Sequence, residues 1–182
     1  MILSDQMMRR LALPIASARG VEELTRSVLV MMEIYTGLES SYLVTIDKEN
    51  DLMRVRFSHN SKKTLIIPEG AYAPWAETLS KREIKDPDFE QKLLAICNES
   101  PWARELGFQT YASCPVYMRD GELYGLLCVA SKDAKPLPAA SKEALSMFAH
   151  VIEQQVQREM LFKQVADSLR KTGTEMAPRH SA

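Results

Sequence analysis

The chain has 182 residues, of which 46% are hydrophobic and 26% charged, and its formal net charge is −1. This length predicts one compact domain rather than two. The near-neutral charge, without a basic stripe, argues against nucleic-acid binding, and no stretch approaches the roughly 18 apolar residues of a membrane span. Three cysteines without a short-range pairing pattern are typical of reduced thiols. We therefore expect a cytoplasmic protein with neither nucleic acid nor membrane among its partners.

Two helices are predicted at the start of the chain. Apolar residues at three-to-four spacing indicate a first helix over residues 4–18, which Pro14 can bend or end. Gly20 separates it from a second helix over Val21–Tyr35, and Gly37 stops that helix. The expected organisation is an N-terminal helix in residues 1–19, one domain in residues 20–170 and a disordered tail in residues 171–182.

Strand and helix patterns alternate in the following hundred residues. Ser41–Ile46 is mostly apolar, as a central strand is, whereas Leu52–Ser58 alternates and is typical of a half-solvated strand. Strict alternation places Met53, Val55 and Phe57 on one face. The middle of the chain is less regular. Its predicted elements are a short strand over Thr64–Ile67 and helices over Pro74–Ile84, Phe89–Ile96 and Pro101–Leu106.

A hairpin is the clearest local signal in the sequence. Strands over Thr110–Met118 and Glu122–Ser131 flank Asp120 and Gly121, a pair that favours a two-residue turn with positive φ at both positions. Counting outward from this turn predicts three cross-strand pairs. They are Val116 with Gly125, Cys114 with Leu127, and Ser113 with Cys128.

The two faces of this hairpin differ in character, because side chains alternate along a strand. One face is small and aliphatic, which suits packing against helices; it carries Ala112, Cys114, Val116, Leu123, Leu127 and Val129. The other mixes aromatic and polar groups; it carries Tyr111, Ser113, Tyr117, Tyr124, Leu126, Cys128 and Ala130. The mixed face predicts either the wall of a small-molecule pocket or a core with satisfied hydroxyls. Cys114 and Cys128 fall on opposite faces, so we expect no disulfide between them.

A long helix over about Ala139–Arg170 closes the chain. Its first half has apolar residues at helical spacing, as a helix packed on a sheet has. Its second half carries further apolar residues beyond the expected edge of the sheet, namely Met160, Leu161, Phe162, Val165 and Leu169. Because these groups need cover, the sequence predicts a homodimer formed through the N- and C-terminal helices. A monomer with a frayed last helix is the alternative.

Several stretches resemble a known family. YASCPVYMRDGELYGLLCVASKD, residues 111–133, is similar to the C-terminal signature of GAF domains in its Ser-x-Pro-Val step, its Asp-Gly turn and its last strand. Further stretches resemble the subgroup in which a GAF domain precedes a GGDEF diguanylate cyclase. They are LESSYLVTID (38–47), FSHNSKK (57–63), PEG (68–70), PWAETLSKREI (74–84) and ARELGFQTY (103–111).

The resemblance implies an α+β fold of the GAF/PAS type. It implies a central antiparallel sheet of five to six strands, with the N- and C-terminal helices on one face and an irregular, pocket-covering segment on the other. In related phytochrome domains the ligand lies against the strand face that corresponds here to Ser113, Leu126 and Cys128. No GGDEF sequence follows residue 170, so the chain is either a stand-alone GAF protein or part of a longer one. Many members of the subgroup have Cys where this chain has Ser80.

The sequence names candidate ligand-binding residues but no catalytic or metal-binding ones. Trp75 is either a stacking platform or a core anchor, and Arg82 either binds an anion or is a solvated charge. The three histidines lack metal-ligand spacing. The candidate ligand-binding residues are Trp75, Leu79, Arg82, Tyr111, Ser113, Leu126 and Cys128.

Three functions compete for this sequence. The first is a non-catalytic sensory domain that binds an unidentified small ligand and signals through a helical dimer; the cofactor, if any, is unknown. The second is a dimerisation or protein-interaction module whose pocket is filled by side chains. The third, which the sequence favours least, is a thiol-based reductase.

Overall fold

The computed structural model describes residues 13–85, 93, 96, 97 and 99–175, and it has an antiparallel five-stranded sheet at its centre. The strands are β1 Ser40–Asp47, β2 Leu52–Asn60, β3 Tyr72–Pro74, β4 Thr110–Tyr117 and β5 Leu123–Ser131, and their order across the sheet is β3-β2-β1-β5-β4. The helices are α1 Val21–Thr36, α2 Leu79–Lys85, α3 Pro101–Leu106 and α4 Ala139–Glu175. The predicted α+β class and the five-stranded sheet are confirmed.

The two long helices, α1 and α4, cover one face of the sheet. Leu24, Val28 and Met32 of α1 interlock with residues of α4 above aliphatic positions of the sheet. Burying such side chains stabilises the folded state by about 25 cal/mol per Å² of apolar surface removed from water. The predicted stripe in the first half of α4 is confirmed. Its buried members are Leu145, Phe148, Ile152 and Val156.

The opposite face, called the pocket face here, is covered by α2, α3 and the segments around them. Ser100 begins α3, because its hydroxyl accepts a hydrogen bond from Ala103 N at 3.4 Å. Gly107 ends α3 in the left-handed region, with φ 71°. A second apolar cluster fills the space between these helices and the sheet. Its larger members are Tyr42, Met53, Trp75, Leu79, Phe108, Tyr111 and Leu126.

A bulge in β2 reverses the faces that simple alternation predicts. Leu43 pairs with Phe57 and the next residue, Val44, pairs with Val55. Arg56 therefore has no partner in β1. Phe57 therefore packs in the helix layer, whereas Met53 and Val55 lie on the pocket face. The prediction that these three residues share a face is wrong, because one extra residue inverts the alternation beyond it.

The hairpin has the predicted register but not the predicted turn. Gly121 N donates to Met118 O at 2.9 Å and Met118 N donates to Glu122 O at 2.7 Å, so the loop has three residues and not two. Gly121 has φ 81°, and Asp120 is not among the described residues with positive φ. This is a type I turn followed by a left-handed glycine.

A second bulge compensates for the longer loop. Val116 pairs with Gly125 and Tyr117 pairs with Leu123, which leaves Tyr124 as the extra residue in β5. The pairs Ser113–Cys128, Cys114–Leu127 and Val116–Gly125 are therefore confirmed. The predicted faces of Leu123 and Tyr124 are wrong, because Tyr124 packs against the helix-side cluster and Leu123 against the pocket-face cluster.

Other differences from the predicted elements are local. Residues 64–67 form no strand, although Leu65 and Ile67 are buried, and the edge strand is Tyr72–Pro74. The predicted helix over Pro74–Ile84 divides into a 3-10 turn at Trp75–Glu77 and α2. Helix α4 extends five residues beyond Arg170. In the first predicted helix, residues 13–17 are helical and the rest lies outside the described residues, as does most of Phe89–Ile96.

The outer edge of β4 is blocked against further strand pairing. Ser113 N donates to Glu83 Oε1 at 3.2 Å, and Tyr117 N donates to Glu153 Oε2 at 3.4 Å. Between them Pro115 has no N–H to offer. Side-chain capping and proline are common ways to protect an edge strand from adding another chain. This edge is therefore a poor template for strand addition.

Candidate functional site

Five of the seven candidate ligand-binding residues meet in one buried cluster on the pocket face. Trp75 and Leu79 approach from the covering segment, and Tyr111, Leu126 and Cys128 approach from the sheet. None of the five is more than 7% exposed. Their mutual contact agrees with the predicted face of the hairpin, and they are packed against one another rather than around open space.

A short chain of polar groups runs through this cluster. Ser80 Oγ lies 2.5 Å from Tyr111 Oη, and the Tyr111 hydroxyl donates to Cys128 Sγ at 3.5 Å. Burial raises the pKa of Tyr111 well above its ordinary value and the pKa of Cys128 to about 12. Both groups are therefore neutral at physiological pH. Sequence reasoning noted Ser80 only as a departure from its relatives and did not foresee its place in this network.

The other two candidates lie apart from the buried cluster. Arg82 Nη1 forms an ion pair with Glu99 Oε2 at 2.7 Å, with the arginine side chain about one-third exposed. The Ser113 hydroxyl donates to Glu83 Oε2, so the serine is bound to a carboxylate of α2. Sequence reasoning missed Glu83 because one carboxylate in a short, partly exposed helix carries no pattern that sets it apart.

Two grooves flank α2. The edge groove, of about 490 Å³, runs along β4 and includes Glu83, Tyr111 and Ser113 in its lining. The Trp75 groove, of about 300 Å³, lies near the hairpin loop and includes Lys81, Tyr117 and Leu123. In it Lys81 Nζ lies 5.1 Å from the centroid of the Trp75 ring, which is within cation–π distance. Each groove thus reaches one or two of the candidate residues from outside the filled cluster.

The three cysteines are poorly suited to nucleophilic chemistry. Burial raises the pKa of Cys97 to about 11 and that of Cys128 to about 12, and it raises the pKa of Cys114 as well. Since the thiolate is the reactive form, raised pKa values make these thiols slow nucleophiles. Cys114 and Cys128 also pack on opposite faces of the sheet. This arrangement offers no partner thiol across the hairpin.

The described parts of the chain contain neither a metal-binding cluster nor a membrane-spanning helix. Residues 13–85, 93, 96, 97 and 99–175 contain no group of three or more histidine, cysteine, aspartate or glutamate side chains able to hold a metal ion. Over the same residues, no helix combines the length and the apolar character that crossing a bilayer requires.

The sheet order, the helix layer and the covered pocket face define a GAF domain, and comparison with known families agrees. The GAF domain family matches residues 17–156, and the chain therefore belongs to this family. Across 173 residues it is 34% identical to diguanylate cyclase DgcP of Escherichia coli, a match that covers 91% of this chain and 49% of that protein. The chain thus spans about half the length of this curated relative.

Solved structures share the fold at low sequence identity. The phycoerythrobilin-bound GAF domain of a cyanobacterial phytochrome superposes with a TM-score of 0.68 at 13% identity, over 90% of this chain and 99% of that one. The chromophore-binding domain of a Stigmatella aurantiaca bacteriophytochrome gives 0.63 at 15% identity, over 81% and 58%. These likenesses concern the fold alone.

Proposed function

We propose that this chain is a non-catalytic sensory GAF domain that binds a small ligand on its pocket face and signals through a homodimer of its long helix. The observation that carries the proposal is the change in α4 at Val156. Up to that residue the apolar stripe of Leu145, Phe148, Ile152 and Val156 is buried, with Val156 itself 3% exposed, and Met147 on another side of the helix is 52% exposed. Beyond Val156 the apolar side chains face solvent. The exposed apolar residues of this second half are Met160, Leu161, Phe162, Val165 and Leu169, at 42–68% exposure.

A second copy of the chain is the occupant that fits this surface best. A row of apolar side chains on a helix that leaves its own domain is a typical self-pairing surface, because a twofold axis covers the same patch on both chains. Gln155 is 8% exposed and donates a hydrogen bond to Glu159. The apolar contact surface between the two copies, called the seam, therefore begins after the turn that holds these polar groups. We expect a short helical bundle and not a long coiled coil.

Two observations support a ligand on the pocket face. Five of the seven candidate residues converge there, and the two grooves beside α2 reach Trp75 on one side and Tyr111 with Ser113 on the other. A relative in the same fold, the cyanobacterial phytochrome domain, has a bilin bound. The ligand of the present chain is unidentified. A mostly apolar wall with a few fixed polar groups favours a small organic molecule over a bare ion.

Light scattering on the full chain tests the dimer. We expect a particle of twice the 20.6 kDa chain mass at micromolar concentration. Phe162→Glu places a charge in the seam and should yield folded monomers. Ile66→Glu is the matched control, because Ile66 is 54% exposed on a loop away from α4. A particle near 20.6 kDa for the unaltered chain would rule the dimer out.

A second candidate function is an interaction module with a filled pocket. The specific observation that favours it is the packing of the pocket face, where Leu79, Leu126 and Cys128 are each at most 1% exposed. A dimer that never retains a small molecule during purification would support this second function over the first.

A further inference from the structure

The two strand bulges meet at one place, where α4 leaves the domain. An exit cleft of about 360 Å³ is formed there by both bulged residues, the start of α1 and the last domain-bound turn of α4. Arg56 is the unpaired residue of β2 and Tyr124 that of β5. The residues that line the exit cleft are Gly20, Val21, Glu22, Arg56, Phe57, Tyr124, Val156, Glu159 and Met160.

Helix α4 is tied to α1 at this cleft. Val21 N, in the first turn of α1, donates to Glu159 Oε1 at 2.6 Å, and Gln155 Nε2 donates to the same oxygen at 3.2 Å. The residue that precedes α1, Gly20, supplies no side-chain cap. A Cβ on Gly20 would lie 3.0 Å from Glu159 Oε1, so glycine leaves the room that the carboxylate occupies. Glu159 therefore satisfies one of the free backbone N–H groups at the start of α1 from another helix.

The bulge in β5 decides which face of the sheet Tyr124 occupies. With the bulge, Tyr124 lies in the exit cleft beside Val156 and Glu159. With regular pairing, Tyr124 would face Tyr117 and would project onto the pocket face with Leu126, because alternation fixes the side. The same chain can make that regular pairing by closing a two-residue Asp120–Gly121 turn, a favoured hairpin turn.

Residues next to Tyr124 keep the rest of the hairpin in register when the pairing at Tyr124 changes. A Cβ on Gly125 would lie 1.9 Å from Val44 O, so next to the bulge β5 lies so close to β1 that only glycine fits there. On the pocket face, Leu123 lies in the Trp75 groove with Lys81 and Ile84. The bulge thus has the Trp75 groove on one side of the sheet and the exit of α4 on the other.

We propose that the β5 bulge is a two-position switch that couples the Trp75 groove to the exit of α4. The inference rests on the proposed sensory function and assigns its regulation. In the bulged position Tyr124 packs beside Val156 and Glu159 and holds α4 against α1. In the regular position Tyr124 moves to the pocket face, and the last domain-bound turn of α4 loses that contact. A ligand that favours one position shifts the balance between them.

Disulfide trapping in the full chain tests the two positions without any ligand. Tyr117→Cys with Leu123→Cys joins residues that are partners in the bulged register. Met118→Cys with Leu123→Cys joins residues that meet only in the regular register, because Met118 is opposite Glu122 in the bulged one. Both pairs share the loss of Leu123 and keep Tyr124, so each is a matched control for the other. We expect both pairs to cross-link in folded protein under a mild oxidant, the second more slowly because its position is less populated.

Hydrogen exchange then reads the effect on α4. We expect amides in residues 157–170 to exchange about fivefold faster in the 118–123 cross-linked form than in the same variant after reduction, the lower end of typical coupling between sites. Reduction of the 117–123 disulfide should leave the exchange unchanged, because that variant is in the bulged position in both states. The switch is overturned if the 118–123 pair never cross-links while the 117–123 pair does, or if cross-linking the 118–123 pair leaves the exchange of residues 157–170 unchanged. Light scattering on the unaltered chain reports separately on the proposed function.

Discussion

Among the six glycines from Gly20 to Gly125, Gly125 is the one at which an added side chain fits least. An added Cβ would lie 1.9 Å from the carbonyl oxygen of Val44, which belongs to backbone and cannot move aside without displacing β1. We expect Gly125→Ala to lower the free energy of unfolding by about 3 kcal/mol or more, beyond ordinary overpacking. Urea denaturation measures this change.

Gly121 provides the control for that substitution. It has φ 81° and nothing within 4 Å of an added Cβ, so only its backbone conformation is special. Asn adopts the left-handed region more readily than most residues, and Gly121→Asn should cost less than about 1 kcal/mol. Equal destabilisation by the two variants would contradict the close approach of β5 to β1.

The buried thiols give a prediction about pH. The pKa of Cys128 is raised to about 12 and that of Cys97 to about 11, so each is protonated at neutral pH and becomes a thiolate only as the pH rises toward those values. At pH 8 the thiolate fraction of Cys128 is on the order of 10⁻⁴. We expect iodoacetamide to leave Cys97 and Cys128 unmodified in folded protein, as judged by peptide mass spectrometry, and to label all three cysteines in urea. Rapid labelling of Cys128 in the native protein would revive the reductase hypothesis.

Among the elements, α3 is short enough for its N-terminal cap to matter. The Ser100 hydroxyl accepts from Ala103 N at 3.4 Å and donates to Glu77 O at 3.3 Å, which joins α3 to the 3-10 turn that carries Trp75. Ser100→Ala should cost about 1 kcal/mol, the usual value of a lost cap. Thermal unfolding measures it. Ser27→Ala on α1 is the control and should stay within about 0.5 kcal/mol, so an equal loss in both would show that the cap contributes nothing particular.

The elements with a strong periodic signal were predictable from the sequence. The apolar stripes of α1 and α4 are separated by more than a hundred residues, yet each alone predicts a helix with one buried side. The hairpin pairs around Cys114 and Leu127 also follow from the sequence. Their register was predicted correctly for an incomplete reason, because the extra loop residue Arg119 and the bulged residue Tyr124 cancel one another.

The bulges themselves were not predictable. Arg56 lies at a position where alternation predicts an exposed side chain, and its side chain is exposed. The alternating pattern of β2 therefore gives no indication of the bulge. Tyr124 precedes Gly125, and a glycine inside a strand is a hint of a bulge but does not give its direction. No sequence pattern predicts the contacts of Glu83 and Glu159 either. Each depends on which backbone N–H a carboxylate meets in three dimensions.

At the scale of the whole molecule, the fold joins a packed GAF domain to a projecting helix. Helix α4 has 37 residues, which corresponds to about 55 Å at 1.5 Å per residue, whereas a domain of this size has a radius of gyration near 16 Å. The half of α4 beyond Val156 therefore cannot be covered by its own sheet. In the proposed dimer the same half of a second copy covers it.

Native mass spectrometry of freshly purified protein tests the central claim most directly, because one spectrum reports both assembly and bound ligand. We predict a particle of twice the 20.6 kDa chain mass carrying an additional small molecule that collisional activation releases. Leu126→Trp should lose the small molecule and keep the dimer, at an overpacking cost of about 1–3 kcal/mol. A particle of one chain mass with no added molecule, from protein shown to be folded, would contradict the account.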